Sequence, residues 1–147
     1  IAFCTDVIVP SAVLDRMEAG SYNFHPGPPE RPGYRPAGFA AHEKGASFGI
    51  TLHEMEASVD TGAIIDCERF AVAAPASEEA INIEAYRRLL NLARRHARAL
   101  ADTGARPSPS RERWSGRKTT RRDWQQIQAE ESLSHPHDRN HVKRPDF

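Results

Sequence analysis

Three side chains able to move a proton and steady a developing negative charge stand out: Asn23 and His25 in YNFH, and Asp60 in VDTG. An amide can donate to an oxyanion, an imidazole can shuttle a proton, and a carboxylate can orient that imidazole. Together the three residue types suit acyl transfer. If residues 22–25 form a strand, Asn23 and His25 share one face while Tyr22 and Phe24 point into a core. Pro26-Gly27-Pro28-Pro29 cannot continue a ladder, so the chain leaves as a loop at the strand's carboxyl end, the edge where α/β sheets place ligands. Asp60 arrives just before Thr61-Gly62, a turn signal between two apolar segments.

The elements that would position these residues follow from the surrounding pattern. Residues 1–4 read as a buried strand, and Pro10-Ser11 opens a short helix with Val13, Leu14 and Met17 on one face and Gly20 as its stop. With the strand at 22–25 this makes one βαβ unit. Residues 30–36 form a Pro, Gly and Arg loop, and residues 37–43 a short Ala-rich helix. Phe48, Ile50 and Leu52 alternate with Gly49, Thr51 and His53, the period of a strand. His53 lies in mid-strand and reads as a core residue or one standing behind the site. Residues 63–73 form a strand pairing back, with Asp66 and Glu68 towards water. Ser77 caps a long helix whose apolar stripe is Ile81, Ala85, Leu89, Leu92 and Ala93, with no chemistry of its own.

The ordered set NFHPGPPE, GITLHEME and VDTGAIID resembles the folate-dependent formyltransferase family, over roughly residues 1–100. The resemblance implies an α/β fold, the second part of a Rossmann-like formyltransferase domain with a mainly parallel sheet. It assigns catalysis to Asn23, His25 and Asp60, and transfer of a formyl group from 10-formyltetrahydrofolate to an amine, without a metal. Asn23 and protonated His25 would hold the oxyanion, and Asp60 would raise the His25 pKa and help remove the amine proton. The positions matching the family's pterin pocket are Thr5, Asp6, Val7 and Ile8, then the loop Glu56, Ala57, Ser58 and Val59. Val7 and Ile8 would serve equally well as core. Arg31, Tyr34 and Arg35, in the loop after the catalytic strand, are candidates for an anionic or sugar-like acceptor, or else a solvated surface. Relatives usually read Ser-Leu-Leu-Pro after the His, where this chain has Pro26-Gly27-Pro28-Pro29, so the acceptor is left open.

The chain of 147 residues is 39% hydrophobic and 27% charged, which suits one globular domain. It opens at Ile1 inside an apolar run, which reads as a truncated start; the resemblance implies preceding βαβ units. The expected division is a catalytic domain over residues 1–104 and an irregular basic extension over 105–147. Lysine plus arginine equals aspartate plus glutamate at 20 each, so no overall field favours nucleic acid or an anionic membrane. Cys4 and Cys67 read as buried free thiols, and with no apolar run near the roughly 18 residues of a membrane span, a cytoplasmic setting is expected. Over residues 106–124 of the extension, seven basic residues interleave with Trp114 and Trp124. That pattern suits either a wrap back onto the domain or RNA binding without catalysis. A 10-formyltetrahydrofolate hydrolase, the formyltransferase-like part of a maturation enzyme, and a metal hydrolase using His25, His53 and Asp60 are the other readings. His135, His137 and His141 read as a polar tail rather than metal ligands.

Overall fold

The computed structural model describes residues 1–5, 7–73, 75–101 and 106–134. Its elements run β1 (Ala2–Phe3), α1 (Ser11–Leu14), β2 (Tyr22–His25), α2 (Pro36–His42), β3 (Ser47–Glu54), β4 (Ile64–Ala71), α3 (Glu78–Ala101) and α4 (Arg121–Ser134). The strands form one sheet in the order β1-β2-β3-β4. Only β1 and β2 are parallel; β3 is antiparallel to both β2 and β4. The sheet described is therefore mixed, and the expected mainly parallel arrangement does not hold for it. Between β3 and β4 the reason is the connection: residues 55–63 make a short return loop, which joins antiparallel strands, whereas a parallel pair needs a longer crossover; β2 and β3 run antiparallel even though residues 26–46, with α2, join them.

Alternation along β2 and β3 divides the sheet's two faces. Tyr22, Phe24, Phe48, Ile50 and Leu52 point to one side and pack with Ala37 and Ala40 of α2 and with Ile81, Ala85, Leu89 and Leu92 of α3. The 24-residue α3 supplies this cover because its apolar stripe repeats at helical spacing; Ser77 Oγ caps it by accepting from the Ala80 N–H at 3.1 Å. Gly49, Thr51 and His53 point to the other side, which is also buried. There the loop after β2 covers them: Thr51 Oγ1 donates to the Gly27 carbonyl at 2.7 Å. A Cβ on Gly49 would stand 2.6 Å from the Glu68 carbonyl oxygen of β4 and 3.0 Å from Pro28 of the loop, so that position needs glycine. Asp66 and Glu68, expected to face water, instead meet α3: Asp66 lies 2.8 Å from His96, and Glu68 pairs with Arg88 and Arg95.

β1 is exposed rather than buried, with Phe3 43% accessible, because it lies at the sheet edge and pairs only with β2 among the described residues. The segment 106–120 is extended and wraps across the β2 loop and β4. Ser110 N–H donates to the Ile64 carbonyl at 2.8 Å, Ser115 N–H to Pro29 at 3.1 Å, and Thr119 N–H to Pro32 at 3.0 Å, while Tyr34 N–H donates to Thr119 at 2.9 Å. Residues 121–134, expected to be irregular, form α4. Thr120 and Asp123 start it reciprocally, each side-chain oxygen accepting from the other residue's N–H. Trp124 then packs edge-on against Phe39 at 5.3 Å and carries the Arg35 guanidinium over its ring at 4.4 Å. Both tryptophans thus turn towards the domain. The boundary drawn at 104/105, and His135, His137 and His141, lie outside the described residues. Among those residues no helix is long and apolar enough to cross a membrane.

Candidate active site

Asn23 and His25 leave β2 on the face away from the α3 core, and the β2–β3 register sets Asn23 opposite His53 and His25 opposite Thr51. Asp60 arrives from the β3–β4 return loop in the left-handed region, φ 52°. That conformation is uncommon outside glycine and is best tolerated by residues such as Asp and Asn; it turns the carboxylate back under the sheet edge. Each carboxylate oxygen has a separate task. Oδ1 lies 3.3 Å from His53 Nε2, and Oδ2 lies 3.4 Å from His25 Nδ1 while accepting the Gly33 N–H at 2.7 Å. His25, His53 and Asp60 are all at most 5% exposed.

His53 also stands 3.2 Å from the Asn23 amide through the same Nε2. One nitrogen cannot both accept from an Asn NH₂ and donate to Asp60. His53 Nδ1 lies 2.6 Å from the Glu54 carbonyl and donates to it, so both Nε2 contacts are hydrogen bonds when the ring carries a proton on each nitrogen and the Asn23 amide, turned by half a rotation, accepts the Nε2–H through its oxygen. The other amide heteroatom of Asn23 is buried without a partner among the described residues. In this orientation it is an NH₂, a buried donor on a residue that lines the cavity.

Burial is the largest influence on His25 and holds its pKa below the ordinary imidazole value, with His53 adding to the lowering; Asp60 and the Arg31 carbonyl pull the other way and do not prevail. Asp60 does pull the value up, as expected, but desolvation outweighs the ion pair, so the expected protonated resting ring is corrected. Both ring nitrogens nonetheless face acceptors, Nδ1 towards Asp60 and Nε2 at 3.2 Å from the Arg31 carbonyl. The ring rests neutral and is provided for once protonated. Burial also pushes Asp60 upwards, but the bonds from His53 and Gly33 and the attraction of the imidazoles together bring it below the ordinary carboxylate range.

These residues line a cavity of about 500 Å³. Thr5, Val7, Ile8, Val9, Met55, Glu56, Ser58 and Val59 wall one half, mostly apolar. Of the residues matched to a pterin pocket, Ala57 turns away to a neighbouring depression and Asp6 lies outside the described residues. Tyr34 and Arg35 wall the other half, whereas Arg31 does not reach it, since its guanidinium is held 2.6 Å from Glu43. Glu78, Asn82 and Tyr86 of α3 join that half, as do Lys118 and Thr119 of the wrapped segment. The helix expected to carry no chemistry thus presents a polar stripe at i, i+4 and i+8 to the cavity. Arg35 is paired with Glu78, and the Lys118 ammonium donates to Ser58 Oγ at 2.9 Å across the mouth. Cys4 lies on the wall too, but burial pushes its thiol up to about 11, which suppresses the thiolate a nucleophile would need. Among the described residues no cluster of His, Cys, Asp and Glu has the arrangement of a metal site.

No protein-family model matches the chain, and no curated protein matches it. Solved structures do. A sugar N-formyltransferase from Shewanella sp. is 20% identical, with a TM-score of 0.72 over 97% of this chain and 53% of that one. A 4-N formyltransferase from Francisella tularensis is 18% identical, with a TM-score of 0.74 over 85% of this chain and 50% of that one. The formyltransferase PseJ from Anoxybacillus kamchatkensis, in complex with UDP-4,6-dideoxy-4-formamido-L-AltNAc and tetrahydrofolate, is 17% identical, with a TM-score of 0.71 over 93% of this chain and 69% of that one. The chain carries the fold of the folate-dependent formyltransferases. It spans about half the length of the Shewanella and Francisella structures, which cover 53% and 50%.

Proposed function

We propose that this site transfers a formyl group from 10-formyltetrahydrofolate to an amine of a polar acceptor. One observation supports this most: Asn23, His25, His53 and Asp60 meet in the wall of one cavity lined by both apolar and polar residues. The apolar half suits a flat pterin ring, with Val7, Ile8 and Val59 on its wall. The polar half, with Tyr34, Glu78, Asn82 and Lys118, suits an acceptor rich in hydroxyl or charged groups. Nucleotide-linked amino sugars, the acceptor class of the sugar N-formyltransferases, are the first to test.

The amine nitrogen attacks the formyl carbon, and the carbonyl oxygen becomes an oxyanion. The Asn23 NH₂ is placed to hold it, and such a donor lowers the barrier by about 3 kcal/mol. Neutral His25 takes the proton released by the attacking nitrogen, and anionic Asp60 steadies the imidazolium. The same proton passes to the departing folate nitrogen as the carbon–nitrogen bond breaks, leaving a formamide and tetrahydrofolate. This assignment differs from the oxyanion role expected for a protonated His25, because burial keeps the resting ring neutral.

The test uses the full-length protein with 10-formyltetrahydrofolate and a panel of amino sugars, comparing wild type with His25→Ala and Asp60→Ala at matched folding. Formyl release in wild type, lost in both variants, is the expected result. Release that survives both substitutions, or a folded wild type that neither binds nor consumes the donor, overturns the proposal. Release without any amine acceptor would instead identify a hydrolase.

A further inference from the structure

Trp114 belongs to the segment that composition sets apart as an extension, yet its ring stands against the centre of the site. Its centroid lies 5.0 Å from that of His53 at 86° and 5.8 Å from that of His25 at 73°, two edge-on contacts to the two imidazoles that flank Asp60. Its Nε1–H donates to the Gly62 carbonyl at 2.8 Å, two residues beyond Asp60. The segment is pinned on both sides of it, by Ser110 on Ile64 and by Thr119 on Pro32 and Tyr34. The other tryptophan, Trp124, packs on Phe39, as an anchor does. Trp114 instead spends its edge contacts on imidazoles.

We infer that Trp114 is a positioning residue of this centre: its indole holds the His25 and His53 rings in register with Asp60 and keeps water from the side of the relay away from the cavity. Its effect on catalysis rests on the formyl-transfer reading; its effect on the imidazoles does not. An indole wedged between two rings and a backbone carbonyl limits how far either ring can turn, and edge-to-face contact adds a preferred angle. Removing it leaves a void bordered by two imidazoles and the Gly62 carbonyl, polar enough to fill with water. The charged and titratable groups facing His25 are Asp60 and His53, with Arg31 reaching it only through its carbonyl. Water in that void relieves the desolvation of His25, while Asp60 continues to favour its proton.

The experiment compares Trp114→Phe, Trp114→Leu and Trp114→Ala in the full-length protein, with Arg113→Ala as control. Arg113 is exposed, and among the described residues its guanidinium donates only to the Ser110 and Glu112 carbonyls of the same segment. Proton NMR of the His25 ring follows its titration, and formyl release gives kcat and the donor KM. Trp114→Ala should move the His25 midpoint upwards and cut kcat about 100-fold, the scale set by misplacing a catalytic group, at nearly constant donor KM. Trp114→Phe should keep most of both, and Arg113→Ala all of both. If Trp114→Ala does not fold, Trp114→Leu takes its place with the same expected direction. An unmoved midpoint in a folded Ala or Leu variant overturns the inference, as does an equal change in Arg113→Ala, which would mark the segment as a general brace. Should wild type release no formyl group, the functional reading fails, and the NMR midpoint still decides the role of Trp114.

Discussion

Asn23 and His53 sit directly opposite each other in the β2–β3 register, with the Asn23 amide 3.2 Å from His53 Nε2, and that same imidazole nitrogen lies 3.3 Å from Asp60 Oδ1. His53 therefore links the residue that would hold the oxyanion to the carboxylate that serves His25. A backbone register, rather than a loop, sets the distance. The irregularity in the β3–β4 pairing falls beside it: Leu52 pairs with Asp66 and His53 with Ile64, so Ile65 of β4 is the extra residue.

Replacing His53 should then damage two residues at once. His53→Ala leaves the Asn23 amide free to rotate and one Asp60 oxygen without its partner. The expected result is a fall in kcat of about 100-fold with little change in donor KM, since a misplaced group affects the reaction more than binding. Steady-state formyl release with varied donor measures both. A fall confined to KM would show that His53 shapes the cavity wall and nothing more.

Acid should destabilise the fold in two steps. His25 has a lowered pKa when folded, so below about 6.5 the unfolded chain takes a proton that the native ring resists, and stability falls as pH falls. Asp60 is lowered too; its contribution is whole above about 3.9 and is lost as pH drops towards its folded value. Urea unfolding from pH 7 to pH 4 reads the first step, and His25→Gln should flatten it. Stability that rises between pH 7 and pH 5 would contradict the burial argument.

Much of this arrangement was legible in the residues, and the reasons for the rest are physical. Period-two alternation in YNFH and SFGITLHE separates the core face from the site face, so Asn23 and His25 on one side of β2 follow from spacing alone. His53 shares that alternation with Thr51, but an alternating pattern names a face without saying what covers it; here the cover is a Pro-rich loop and Trp114. The polar stripe Glu78, Asn82 and Tyr86 lies on α3 beside an apolar stripe that dominates the pattern. The antiparallel pairing of β3 with β4 is set by their connection, and residues 55–63 read as a functional loop before they read as a short return. The direction of the His25 shift was lost for a similar reason: a sequence shows an Asp that could pair with it, and not the depth at which the pair lies.

Gly33 connects the wrapped segment to Asp60. Its φ is +97°, its N–H donates to Asp60 at 2.7 Å, and a Cβ there would stand 2.3 Å from the Thr119 carbonyl oxygen. Gly33→Ala should cost about 1–3 kcal/mol through strain at positive φ, and lower formyl release further by shifting that N–H. Gly45→Ala is the matched control, because its nearest neighbour would stand at an ordinary 3.5 Å. Thermal unfolding and kcat on both variants provide the comparison; equal behaviour of the two would remove Gly33 from the site's support.

The two halves of the cavity should separate in kinetics. Glu78 holds Arg35 from the first turn of α3, and Arg35 in turn lies over Trp124, so the acceptor side is ordered by an ion pair and a cation–π contact together. Glu78→Gln keeps the size of the side chain and removes the charge. Arg35 is then free to reorient, and the polar half gains one positive charge. Acceptor KM should change by about tenfold, the scale of one charge-assisted hydrogen bond, with donor KM unaltered. The direction is informative: a lower KM for an acceptor carrying phosphate, because the freed guanidinium can pair with it, and a higher KM for an uncharged amino sugar. Val59→Ala, on the apolar wall, should do the reverse and raise donor KM alone. Steady-state kinetics with each substrate varied in turn resolves the two, and a Glu78 variant that alters donor KM would mean that the polar half belongs to the folate site.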